Sequence, residues 1–337
     1  MQQRKAQYEI YSSMLDQQVK AARGFFSRFL PKNASDRDFT AIMFQQTPQL
    51  AQSLNLHIFA AEHFWIRTGA NAIFPESAEV LDNLLRARFQ MDAAEGFTLP
   101  FESFMLSVPQ GYAVDGVKIP SFIVSCFPYQ KMAETVIGPF LQYAGFKKPV
   151  AVSLDETSED DVAIALCYKD PTSKTAYART LVSVSQIPSI LANTSNSELS
   201  DELGEYSEYL DVVGLSEYDL KIQRIMLRLV AAIGIYNMAT EGKRLLPGLP
   251  GTQEPKIIGK APSGGFKFST LTNSFPPLRE GSAPADAYYR TWFFRQLRAD
   301  RYYKGEYASY AKGSRYVFVS DSIVGQKVES HTQRFED

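Results

Sequence analysis

Asp161-Val162-Ala163-Ile164-Ala165-Leu166-Cys167-Tyr168-Lys169 is a short apolar run with charges at both ends. Runs of this length, bounded by turn-forming residues, read as sheet strands. Four further stretches of the same kind surround it: Glu102–Val108, Ser121–Phe127, residues 150–154 and Tyr177–Val184, separated by Pro, Gly, Asp and Ser. Working outward, Ser216-Glu217-Tyr218-Asp219 resembles a capping box and opens a strongly apolar helix. Ile222, Ile225, Met226, Leu229, Val230, Ile233 and Tyr236 recur on one face, and Ala231, Ala232 and Gly234 leave room for close neighbours. The expected class is α+β, with a central, mostly antiparallel sheet and a buried helix.

Before Leu99-Pro100-Phe101 the chain reads as helical. A stripe through Tyr8, Ile10, Tyr11, Met14, Leu15, Val19 and Ala22 predicts a helix over 2–30, closed by Pro31. A second is expected from Thr47-Pro48 through Trp65, and a third from Pro75 to Gly96. His57 and His63 lie six apart in the second, off the four-residue spacing of a shared helical face. Residues 251–285, heavy in Gly, Pro, Ser and Lys, read as a linker or an extended arm over the surface. The organisation expected is a helical region at 1–97, an α+β core at 98–250, the arm at 251–285 and a C-terminal element at 286–337.

The chain has 337 residues, 45% hydrophobic and 21% charged, with a formal net charge of −2. These values describe an ordinary folded protein. Two cysteines, Cys126 and Cys167, sit inside apolar runs and form neither a disulfide framework nor a metal-type spacing. No signal core and no apolar run of about 18 residues is present, so no membrane partner and a reducing intracellular compartment are expected.

Chemistry-bearing motifs are scarce. Three histidines, no Gly-x-Ser-x-Gly, no His-Glu-x-x-His and no glycine-rich nucleotide fingerprint make binding the favoured reading over catalysis. No catalytic residue, metal ligand or cofactor is assigned, and no small-molecule ligand is indicated. Residues 155–161 hold five carboxylates in seven positions. They read as a solvated hairpin tip, with a metal-dependent nuclease using Asp155, Glu159 or Asp161 as the enzymatic alternative. A phage structural or assembly component, its aromatic block serving subunit contacts, is a third reading.

The C-terminal element is the chief clue to function. Between Tyr288 and Phe318 lie eleven aromatic residues, seven Arg or Lys and two acids. Residues 286–327 carry eight cations against four acids, +4 in a chain of −2. Cations attract phosphates and flat rings stack on bases, so this composition suits RNA or protein recognition. The binding residues expected are Tyr288, Arg290, Trp292, Arg295, Arg298, Arg301, Tyr302, Tyr303, Lys304, Tyr307 and Arg315. Tyr316 to Val319 alternates as a strand, with Val317, Val319 and Val324 expected to anchor it.

The order Tyr289-Arg290-x-Trp292-x-x-Arg295, then a basic spacer, then Gly313-x-Arg315-x-Val317-x-Val319 and Val324-Gly325, resembles the terminal signature of a group of phage, plasmid and bacterial proteins. That group includes the type V-A anti-CRISPR family, which lowers production of the effector nuclease. Leu99-Pro100-Phe101-Glu102 opening the sheet and an apolar helix at 220–238 before a Pro-rich arm are similar too. Phe293 and Phe294 stand where the family's motif carries a His. The resemblance implies a mobile-element protein of the bacterial host cytoplasm that meets a nascent chain, its transcript or a ribonucleoprotein through Arg290, Trp292, Arg295 and Arg315.

Overall fold

The computed structural model describes residues 7–52, 54–91, 94–147, 161–173, 176–192, 217–251, 255–260, 265–272, 288–290, 293–319 and 322–324. Its helices are α1 (Met14–Phe26), α2 (Asp36–Gln46), α3 (Leu54–Arg67), α4 (Ala78–Arg86), α5 (Gly138–Tyr143), α6 (Ile187–Ala192) and α7 (Glu217–Ala239). The first strands are β1 (Gln7–Glu9), β2 (Asn71–Pro75), β3 (Arg88–Gln90), β4 (Ser103–Leu106), β5 (Val108–Pro109), β6 (Ala113–Val114), β7 (Val117–Lys118) and β8 (Phe122–Pro128). They continue with β9 (Val162–Lys169), β10 (Tyr177–Ser183), β11 (Leu245–Pro247), β12 (Lys256–Ile258) and β13 (Lys267–Leu271). Last come β14 (Tyr288–Arg290), β15 (Phe293–Leu297), β16 (Arg315–Val319) and β17 (Ser322–Val324).

The α+β class holds. A seven-stranded sheet in the order β10-β9-β8-β4-β2-β13-β11 forms the centre. It is antiparallel except where β2 pairs parallel with β4 and β13. β9 lies second from one edge, and its six interior residues are buried. Ile164, Leu166 and Tyr168 enter one core, while Ala163, Ala165 and Cys167 enter the other. Helices cover both faces of the sheet, so the strand needs no polar side and reads as a continuous apolar run.

The large β9 side chains share a core with α7, where Ile222, Met226, Leu229, Val230 and Ile233 are fully buried. Each such side chain contributes roughly 1.5–3 kcal/mol by leaving water. The small β9 residues face a second core built with α1, α2, α3 and α5. Among the described residues no helix is long and apolar enough to cross a membrane.

Several sequence expectations are corrected. Residues 7–9 form a strand, with Tyr8 opposite both Ile257 and Pro109. The helix begins only at Met14, where the Ser13 side chain accepts from the Asp16 N–H. At Pro48 a 3₁₀ turn, Pro48–Gln52, precedes α3. Asn71–Pro75, expected to lie between helices, is a central strand, and the helix after it ends at Arg86 instead of Gly96. The arm over the surface is likewise corrected for Lys267–Leu271, which sits between β2 and β11 in the main sheet. The expected strand at 150–154 lies outside the described residues.

Candidate functional site

The C-terminal hairpin is fixed to the body by aromatic side chains. β15 pairs antiparallel with β16 and parallel with β3. Phe294 is fully buried, stacked on Phe89 at 5.4 Å, with its ring edge-on to Tyr236 at 6.0 Å and to Phe318 at 5.6 Å. Tyr316 is buried beside it, and Phe318 packs against the same core. Val317, expected as an anchor, faces outward instead and is 40% exposed opposite Arg295. The alternation is as expected, but the larger apolar side chains took the inner face.

The loop from Arg298 to Ser314 is tied by its own tyrosines. Tyr303 Oη donates to Leu297 O at 2.5 Å and accepts from the N–H groups of Gly313 at 2.7 Å and Arg315 at 3.3 Å. Arg315 Nη1 donates to Tyr302 O at 2.6 Å, and its guanidinium lies 3.3 Å from the Tyr307 ring centre. Gln296 Nε2 closes the base by donating to Gly313 O at 2.8 Å. At Gly96, a Cβ would come within 2.9 Å of Ser314 Cα, so only glycine permits the 94–97 turn to approach the hairpin this closely.

What remains outward is rich in cations, with the exposed acids Asp300 and Glu306 among them. Arg295, Arg298, Arg301 and Lys304 are exposed. Arg301 lies over Tyr302 at 4.9 Å and donates to its hydroxyl at 2.9 Å, and Arg298 Nε donates to Gln296 Oε1 at 3.0 Å. Asp300 is engaged by Lys312 at 2.7 Å. Tyr310, edge-on to Tyr307 at 5.6 Å, is 52% exposed. This surface can meet a polyanion with four cations and offer one open ring.

The eleven expected residues therefore separate. Arg295, Arg298, Arg301 and Lys304 are each exposed on the hairpin and its loop. Tyr302, Tyr303, Tyr307 and Arg315 are part-buried and knit that loop together. Tyr288 and Arg290 belong to β14, opposite Val324 and Ser322 of β17. Their side chains, like Trp292 as a whole, lie outside the described residues. Tyr310 was not singled out from the sequence, although its place in the aromatic block was the available signal.

Asp155 and Glu159 also lie outside the described residues. Asp161 is described: its carboxylate accepts from Ser183 Oγ and its carbonyl from the Tyr129 N–H at 2.8 Å. Among the described residues no group of three or more His, Cys, Asp or Glu is arranged to hold a metal.

Sequence reading also missed a buried carboxylate. Glu62 of α3 is wholly buried and accepts from Tyr11 Oη at 2.5 Å, Ser13 Oγ at 2.7 Å, and the N–H groups of Met14 at 2.7 Å and Leu15 at 2.8 Å. It satisfies the first free donors of α1 from another helix. Burial pushes its carboxyl up to about 7, against the lowering effect of these four bonds. Its signal was a lone acid among Ile58, Phe59, Ala61 and Trp65.

The site is thus an aromatic-anchored basic hairpin on an α+β body. No protein-family model, curated protein or solved structure matches the chain.

Proposed function

We propose that this is a binding or regulatory protein whose C-terminal hairpin engages RNA through its phosphates. The observation that carries the reading is the shared exposure of Arg295, Arg298, Arg301 and Lys304 on an element held rigid by Phe294 and Tyr303. Among the described residues, Arg295 and Lys304 make no ion pair within 4 Å, so an incoming phosphate displaces no carboxylate from them. Guanidinium groups add bidentate geometry to this attraction. Tyr310 offers a ring face to a base.

RNA is favoured over a folded protein partner because the exposed surface is charged with little apolar area, Val317 and Tyr310 being its large apolar residues. The resemblance to the type V-A anti-CRISPR family extends the proposal. It suggests a mobile-element protein of the bacterial cytoplasm that acts on a transcript or nascent ribonucleoprotein and lowers effector production. A filter-binding titration with single-stranded RNA tests the core of this. The expected result is affinity that falls steeply with salt, and salt-independent or absent binding overturns it.

A further inference from the structure

Arg179 is a buried cation with no carboxylate hydrogen-bonded to it among the described residues. It lies in the middle of β10, opposite Cys167 of β9, and is 4% exposed. Among the described residues its Nη2 reaches Met132 Sδ at 3.6 Å, a weak acceptor, and its Nε has no hydrogen-bond partner. The ionisable groups acting on it are Cys167 and Tyr129, neither of them a carboxylic acid. Burial pushes the Cys167 thiol up to about 12, so it stays neutral. Glu62, on the same side of the sheet, is already engaged by Tyr11, Ser13 and the start of α1.

A second unpartnered group comes from α3. His57 Nδ1 is buried without a hydrogen bond among the described residues. Burial, with the Arg179 charge nearby, pushes its imidazole down to about 4, leaving a neutral ring that can donate from one nitrogen. Met132 leads directly into a π-turn, Ala133–Ile137, a widened backbone form that recurs at functional sites. An uncompensated buried guanidinium is costly, and so is a buried donor without an acceptor. A hydrophobic residue at 179 would avoid both costs.

We propose that Arg179 and His57 form a binding site for a small oxyanion, the phosphate or carboxylate group of a ligand, between β10, α3 and the π-turn. The guanidinium supplies a planar fork that either anion matches, and His57 supplies a neutral donor.

The test titrates inorganic phosphate and, separately, acetate into the full chain at constant ionic strength. It follows the thermal midpoint and the nuclear magnetic resonance signals of the three histidine rings. The expected result is a saturable rise in midpoint with one of these anions, together with an upward shift of the His57 titration from about 4. The upward shift follows because the anion offsets the Arg179 charge. A response to phosphate alone assigns a phosphoryl group, and one to acetate alone a carboxylate. Arg179→Met should abolish both effects. Arg179→Lys, which keeps the charge without the fork, should bind at least tenfold more weakly and covers the case in which the methionine variant does not fold. Neither anion raising the midpoint, or Arg179→Lys responding like the wild type, overturns the proposal. The hairpin variant Arg295→Ala/Arg301→Ala/Lys304→Ala should keep the full response, so this site and the RNA face fail or stand separately.

Discussion

The hydroxyl of Tyr303 sits where the two strands of the hairpin part, with Leu297 O on one side and the Gly313 and Arg315 N–H groups on the other. Tyr303→Phe keeps the ring and removes all three bonds. It should cost about 1–2 kcal/mol in chemical denaturation, because backbone groups at a part-buried site lose their partner. At Glu62 the expectation concerns pH. Its folded value is raised from 4.5 to about 7, so its contribution to stability is fully present below about 4.5 and is lost as pH rises through about 7. Denaturation midpoints measured across that window should fall with rising pH in the wild type. They should fall less in Glu62→Gln, where no carboxyl remains to ionise. An equal slope in both proteins would remove Glu62 as the cause.

Among the elements, α7 shows how closely the layers meet. A Cβ at Gly234 would lie 2.6 Å from Phe97 Cζ and 3.1 Å from Thr98 O. Gly234→Ala should therefore destabilise by about 1–3 kcal/mol through overpacking, despite alanine's better helix propensity, as read by urea unfolding. The same scale explains what was legible in the sequence. β9 announced itself because both its faces are covered, and α7 because its inward face repeats over about four turns. α2 escaped notice, although Ser35 and Asp38 form a reciprocal cap at its start. β13 was hidden by its Gly, Pro and Ser surroundings, since its place is set by long-range pairing with β2 and not by local composition. In β16 the period of two was plain, but nothing local said that Tyr316 and Phe318, rather than Val317, would face the core. Of the site, the cations were legible as a charge excess in one segment. The internal duties of Tyr303 and Arg315 were not, because they depend on how the loop folds back on itself.

Across the whole molecule, charge is arranged against the average. A chain of net −2 carries a basic hairpin whose anchor, Phe294, reaches the core shared by the central sheet and α7. Rigid presentation favours binding because fewer side-chain and loop freedoms are lost on contact. The central claim is that the outward cations of this hairpin meet RNA phosphates, and fluorescence anisotropy with a labelled single-stranded RNA tests it most directly. Four phosphate contacts correspond to a loss of about 50-fold in affinity between 50 and 200 mM salt, at a slope of about −0.7 per contact. With Arg295, Arg301 and Lys304 all replaced by alanine, the loss should shrink to about threefold. An unchanged salt slope in that variant, with its circular dichroism and thermal midpoint preserved, would contradict the account.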